Sequence, residues 1–511
     1  MVKLADLLVA TLGVLLVLNG CLARQSLGVP PQLKNACNLD NLDVLEPTET
    51  IKSEAGQIEF FDNNNPQLRC AGVSVARLII EQGGLYLPTF FSSPKISYVV
   101  QGMGISGRVV PGCAETYMDS QPFQGQQGQQ GRQPWEGQGQ QGQQGQPWEG
   151  QGQQGQQGQP WEGQGRQGQE QQQQGFRDMH QKVEHVRHGD VFANTPGSAH
   201  WIYNSGDQPL VIIFLLDVAN YQNQLDRNPR AFLLAGNNQQ GGSQQQQPQR
   251  NMFSGFDTHF LAQSLKIDIK LAEELKNPDV SRGNIVHVKG PFQVATPPLR
   301  QSYESEKWRH PRGPPQVPHG NGLEETICSM RTHENIDDPA RADVYKPNLG
   351  RVTSVNSFTL PILEHIRLSA TRGLIRRNAM VLPKYNMNAN EILYCTGGEA
   401  RIQVVNDNGQ NVLDQQVQKG QLVVIPQGFA YAAISRGNKF EWISFKTNAN
   451  AMISTLAGRT SAFRALPLEV ISNGFQVSLE EARKIKFNTL ETTLTEARSG
   501  RQQLIEEIVE A

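Results

Sequence analysis

The residues able to do chemistry in this chain gather in three places. The run Asn321-Gly322-Leu323-Glu324-Glu325-Thr326-Ile327-Cys328 joins an easily bent Asn-Gly pair to a cysteine. It follows Pro311, Pro314, Pro315 and Pro318. Such a proline-rich stretch cannot donate a full backbone ladder, is expected to lie exposed, and offers a protease an accessible bond. The chemistry here is that of a substrate: hydrolysis after Asn321 leaves two chains that a disulfide from Cys328 holds together. Taken alone, Asn-Gly is also a common turn dipeptide. A second group is His180, His185 and His188. Their offsets do not share one helical or strand face, so a solvated or subunit-interface cluster fits them better than a metal site. Such a cluster charges near about pH 6. The third group is the thiols. Of six cysteines, Cys21 lies in the apolar leader and Cys37, Cys70, Cys113, Cys328 and Cys395 remain. The odd number leaves at least one thiol free or paired between chains, and spacing alone assigns no bridge. No Gly-x-Ser-x-Gly, P-loop, His-Glu-x-x-His or Cys-x-x-Cys spacing occurs.

The elements that carry these groups follow from patterning. Residues 1–23 form a secretory signal, with Lys3 as its positive end, Leu7 to Leu18 as its apolar run and Cys21-Leu22-Ala23 before the cut. That run is too short to span a membrane, and no later stretch is long enough. A net charge of −2 over 511 residues gives no electrostatic reason to expect nucleic acid or a membrane surface as partner. Residues of about 121–175 are mostly Gln and Gly, with Pro134-Trp135-Glu136-Gly137 recurring at Pro147 and Pro160. So little apolar surface does not offset the entropy of ordering, so the segment reads as a disordered loop. Gln239 to Gln249 and Arg300 to Gly320 are further interruptions.

Between them Gly72–Glu81, Ser97–Val110, Pro209–Val218, Ile402–Val405 and Gln421–Ile425 read as strands, rich in Val, Ile and aromatics and bounded by Gly, Pro and Asn. Helical periodicity covers Thr258–Lys276 and Ser478–Lys486, with Asp257 and Ser478 as N-caps. Phe253-Ser254-Gly255-Phe256 and Ser472-Asn473-Gly474-Phe475 look like matching starts. Strands followed by helices occur twice, which predicts an internal duplication.

The octapeptide at Asn321 resembles the processing site of legumin-type 11S seed storage globulins, members of the cupin superfamily. Cupin barrels carry two short motifs that together supply three His and one Glu to a metal. In the second half the first motif is framed by Pro383 to Glu391 with Gly397 after it, and Tyr385 and Met387 stand where imidazoles are expected. In the first half the frame is Pro88 to Ile96 with Gly102 after it, and Phe90, Ser92 and Ile96 replace both His and the Glu. The second motif appears as Gly420, Pro426, Gly428, Tyr431 and Ser435, and as Gly189, Thr195, Gly197, His200 and Asn204, with its proline displaced to Pro196.

His200 alone on one side and Glu391 without an imidazole on the other are too few donors for a divalent cation. The expectation is therefore no metal, no cofactor and no catalytic residue, with these positions filling the barrel interiors and His200 and Tyr431 hydrogen-bonded there. A metal-dependent, germin-like secreted enzyme and a sugar- or small-ligand-binding cupin are the rival readings.

The resemblance implies a mainly β bicupin: two jelly-roll barrels, each followed by a helical arm. The expected divisions are signal 1–23, first barrel 24–250, arm 251–299, exposed loop 300–321, second barrel 322–458, and arm and tail 459–511. It also implies disulfides Cys37–Cys70 and Cys113–Cys328, with Cys395 left as a buried free thiol. Within the family the Gln-Gly insert and the run Phe176 to His185 are similar to the cruciferins of the mustard family. The implied role is a nutrient reservoir, cut at Asn321-Gly322 by asparaginyl endopeptidase in the seed storage vacuole, assembling as trimers and then hexamers.

Overall fold

The computed structural model describes residues 37, 39–110, 112–115, 117–118, 179–181, 183–238, 249–292, 294, 328 and 330–497. Asn321, Gly322, the leader and the Gln/Gly-rich stretch of about 121–175 lie outside them. Glu115–His180 is a unit by itself, in which Tyr117–Met118 pairs with Met179–His180.

Valine- and isoleucine-rich strands such as Val73–Ile80 and Leu210–Asp217 are buried along nearly their whole length, and such strands need cover on both faces. In the first half a seven-stranded sheet runs in the order Pro47–Ser53, Gly56–Phe61, Val73–Ile80, Leu210–Asp217, Lys95–Gln101, Asp190–Asn194 and His333–Asn335. A six-stranded sheet is built on Gly84–Phe91, Ala199–Tyr203, Met103–Val109 and Val183–Arg187, with Ala231–Leu233 and Ile285–His287 added to Gly84–Phe91. Ile58, Val99, Phe192, Ile202, Leu210 and Phe214 fill the space they enclose. The second half repeats the plan with longer strands. Glu391–Val405 and Ala430–Lys446 each run the height of the barrel, with pairing irregularities at Cys395/Gly397 and Gly398/Ala400. Bulges of this kind bend a long strand so that one sheet closes on itself.

Ser97–Val110, expected as one strand, is two, Lys95–Gln101 and Met103–Val109. Gly102 between them takes φ +85°, and a side chain there would meet the Pro209 carbonyl at 2.9 Å. Only glycine fits that corner.

The two barrels share a core. Ile96, Tyr98, Ile213 and Leu215 of the first pack with Ile392, Tyr394, Ile443 and Phe445 of the second. The halves also exchange chain. Leu42, near the N-terminus, belongs to the second barrel's core and its N–H donates to the Val412 carbonyl at 2.8 Å, while Leu45 bridges to Leu422. Conversely His333–Asn335 pairs with Asp190–Asn194 of the first barrel. The expected division at residue 322 therefore does not coincide with the boundary between the sheets.

Each arm is built on a helix pair rather than one helix, with a further short helix, Ala462–Ala465, ahead of the second pair. Thr258–Leu265 and Ile269–Lys276 are separated by Lys266 at φ 54°, and Leu468–Phe475 and Leu479–Phe487 by Gln476 at φ 55°. Asp257 caps the first helix by accepting from the Phe260 N–H, and Ser478 caps the last with a reciprocal bond from Glu481. The matching starts expected at Phe253–Phe256 and Ser472–Phe475 are not equivalent. The former belongs to a 3-10 turn, Met252–Gly255, ahead of its helix, and the latter closes Leu468–Phe475. The exposed Gly474 costs that helix only about 1 kcal/mol, and buried Ile471 anchors the helix around it.

Candidate functional site

The interior of each barrel is where the cupin motifs point, and strand register decides what stands there. In the second barrel Lys384 faces Tyr431 across the ladder, and Glu391 faces Lys446. All four side chains are buried, with Asn386 beside them. The Asn386 amide donates to one Glu391 oxygen at 2.7 Å and the Tyr431 hydroxyl to the other at 3.0 Å. The Lys446 ammonium donates to Thr371 Oγ1 at 2.9 Å, and that of Lys384 lies 5.1 Å from the Tyr431 ring centre. In the first barrel His200 faces Thr89 and Lys95 faces Leu216. The Lys95 ammonium contacts the His200 imidazole.

These interiors correct the expected frame by one residue. Met387 is 49% exposed and Tyr385 half-buried, while Lys384 and Asn386 point inward. Likewise Thr89, Phe91 and Lys95 replace Phe90, Ser92 and Ile96, and Ile96 packs between the barrels instead. Prolines 88 and 383 anchored the frame, and a shift of one residue turns every side chain to the other face of a strand. His200 and Tyr431 are buried inside, as expected. The signal that would have found the lysines is the alternation in Ala379–Asn386, which puts Lys384 on the same side as buried Val381 and Asn386 only after a bulge between Val381 and Lys384. That bulge is invisible in the sequence.

Electrostatics separates the two interiors. Burial opposes ionisation of Glu391, but Lys446 and Lys384 outweigh it and, with Asn386 and Ser444, hold the carboxyl down at about 2. Burial pushes Lys384 down to about 8 in spite of Glu391. Two ammonium groups thus neutralise the one carboxylate that a cation would need. In the first barrel burial alone pushes Lys95 down to about 7, and burial with Lys95 nearby holds His200 well below the usual imidazole range. Among the described residues no three His, Cys, Asp or Glu side chains converge.

The cysteines lie elsewhere. Cys37 is bonded to Cys70 with Cα atoms 5.3 Å apart, and Cys113 to Cys328 with Cα atoms 5.4 Å apart across 215 residues of sequence. Cys395 is a buried free thiol that burial pushes up to about 12, so it is not a nucleophile.

His185 and His188 stand in different surroundings. His180 is in the separate unit, His185 faces Ile105 in a ladder, and His188 enters an ion-pair network. Its Nδ1 donates to the Val100 carbonyl at 2.7 Å and its Nε2 to Asp337 at 3.2 Å, where Arg351 and Arg372 also converge. Both ring nitrogens donate only in the imidazolium. The Asp337 bond accordingly raises the His188 pKa against partial burial. A raised value contributes stability that is complete below about pH 6.5 and lost as pH rises through the folded value. His188→Gln is therefore expected to lower the urea midpoint most at about pH 5.5 and least at about pH 8.5. An equal effect at both would refute this.

Two tandem barrels of this geometry make the chain a bicupin. The Cupin family model matches residues 42–135, 158–240 and 334–483. The chain is 82% identical to cruciferin CRU1 of Brassica napus and 80% identical to the 12S seed storage protein CRC of Arabidopsis thaliana, each over the whole of both chains. Among solved structures, procruciferin, an 11S globulin from Brassica napus, matches at TM-score 0.74 and 50% identity over 91% of this chain and all of that one. The chain belongs to the cruciferins, the 11S seed storage globulins built on the bicupin fold, and its function is seed storage.

Proposed function

We propose that the stored protein is cut once, after Asn321, by an asparaginyl endopeptidase, and that the Cys113–Cys328 bridge keeps the products together. The observation that supports this reading is the bridge itself. Its two sulfurs belong to segments on either side of Asn321 in sequence. Residues 1–23 direct the chain into the secretory route, and the cut takes place in the protein storage vacuole. The precursor assembles as a trimer and the cut form as a hexamer. The arms supply apolar surface for that association, with Phe260 60% and Phe475 56% exposed. Closed symmetric assembly covers such faces on every copy at once.

The same reading gives the barrels no catalytic role. The interior carboxylate is neutralised by lysines, and the amide nitrogen of the Gln-rich segments makes the chain a nitrogen reserve. Denaturing gels of seed-extracted protein test the cut. One band near the mass of the whole chain is expected without reductant, and two smaller bands with it. A single band under both conditions overturns the proposal.

A further inference from the structure

We propose that Asn408 is a site of self-modification, where the backbone nitrogen of Gly409 displaces the side-chain amide and leaves aspartate or isoaspartate. Four Asn-Gly pairs occur in the chain, and those at Asn19 and Asn321 lie outside the described residues. The fold treats the other two differently. Glycine after asparagine removes the β-carbon that would crowd the attacking nitrogen. The reaction also needs an asparagine side chain free to swing and a backbone free to turn. Asn473 has neither. It lies within the helix Leu468–Phe475, where its amide donates to the Glu469 carbonyl at 2.8 Å. Cyclisation there breaks that bond and the helix that Ile471 anchors.

Asn408 has both. It is exposed at the tip of the hairpin that joins Glu391–Val405 to Asn411–Gln418. Asn406 fixes the base of that turn. Its Oδ1 accepts from the N–H of Asn408 at 3.1 Å and of Gln410 at 2.9 Å, and its own N–H donates to the Gln410 carbonyl at 3.0 Å. Beyond the base the chain is loosely held. Among the described residues the Asn408 side chain has no hydrogen-bond partner. Gly409 takes φ +74°, and no atom lies within 4 Å of where its side chain would stand. The attacking nitrogen is restrained by a turn bond, from the Gly409 N–H to the Asn406 carbonyl at 3.1 Å. A solvent-exposed bond of this kind opens far more often than a packed helix does.

The reaction balances with water as its co-reactant. The Gly409 nitrogen gives its proton to a base in the solvent and bonds to Asn408 Cγ. The bond from Cγ to Nδ2 breaks, and Nδ2 takes up a proton and leaves as ammonia. Water then opens the cyclic imide at either carbonyl. Opening at Cγ restores the main chain with aspartate, and opening at the backbone carbonyl reroutes it through the side chain as isoaspartate. Either product adds a negative charge beside Asp407. A stored protein is not renewed until it is used, so even a slow reaction accumulates and records its age.

Peptide mapping of the intact assembled protein, held folded in mildly alkaline buffer, tests this. Trypsin places Asn408 in peptide 402–419 and Asn473 in peptide 465–483. Conversion of amide to acid is expected at Asn408, as isoaspartate together with aspartate, with Asn406 and Asn411 of the same peptide unchanged. Asn473 is expected to react at least about tenfold more slowly in the folded protein, and at a similar rate once urea unfolds the chain. Asn408→Gln, a change at an exposed turn, is expected to abolish acid formation in peptide 402–419. No conversion at Asn408 while the urea-unfolded chain reacts overturns the proposal. So does equal reaction of Asn408 and Asn473 in the folded protein, or aspartate without isoaspartate. Undiminished acid formation in peptide 402–419 of the Asn408→Gln protein overturns it too.

Discussion

Glu391→Gln is expected to destabilise the second barrel by about 3–5 kcal/mol at neutral pH, the scale for removing one partner from a buried ionic cluster. Glutamine keeps the size of the side chain, and it still accepts from Asn386 or Tyr431. What it removes is the single negative charge between Lys384 and Lys446. Both ammonium groups are left in a closed interior, where they must stay charged without a partner or lose a proton. The second outcome becomes cheaper as pH rises, because Lys384 is already held down at about 8. The deficit relative to wild type is therefore expected to shrink between about pH 7 and pH 10. In the acid range the wild type loses the same contribution. The Glu391 carboxyl is depressed to about 2, so its share of stability is complete above about pH 4.5 and is lost as pH falls through the folded value. Trp442, 2% exposed in the same core, reports the unfolding by fluorescence in denaturant. Replacing all three charges, Lys384→Met with Glu391→Leu and Lys446→Met, is expected to recover most of the loss, as apolar substitutes for buried ion clusters do. A Glu391→Gln cost under about 1 kcal/mol would show that the lysines find other partners.

The second large effect concerns the Cys113–Cys328 bridge. In the uncut chain it closes a loop of 215 residues, against 33 for Cys37–Cys70. The loop-entropy relation then gives about 5 kcal/mol for the longer bridge and about 3.5 kcal/mol for the shorter. Cys113→Ser with Cys328→Ser is expected to lower stability more than Cys37→Ser with Cys70→Ser, measured by denaturant unfolding of the uncut protein. The order reverses if the shorter bridge holds the N-terminal strand exchange together. For the cut form a different result is expected. Reduction without denaturant leaves the two pieces associated on size exclusion, because His333–Asn335 remains in the first barrel's sheet and Leu42 in the second barrel's core. The bridge is then needed to hold the products together only once the barrels unfold.

Local signals in the chain were enough for a good part of this. The Val- and Ile-rich runs at Gly72–Glu81 and Pro209–Val218 lie within a residue or so of the strands Val73–Ile80 and Leu210–Asp217. Asp257 and Ser478 cap the helices expected after them. Two errors have different origins. Phe90, Ser92, Ile96, Tyr385 and Met387 were read as barrel interior because the frame was anchored on proline spacing, whereas register shifts between Tyr86 and Thr89 and between Val381 and Lys384 reset the alternation. Ser472–Phe475 was matched to Phe253–Phe256 as a helix start, whereas it closes the helix Leu468–Phe475, which buried Ile471 anchors.

Residue type and spacing therefore carried the resemblance to the bicupins and marked the strand-rich halves, since these depend on short-range pattern. Folding alone decided that Lys384 and Lys446 flank Glu391, that Lys95 is buried against His200, and that each barrel is completed by chain from the other half. Those facts rest on register between strands far apart in sequence, and one residue of slip exchanges the inside of a strand for its outside.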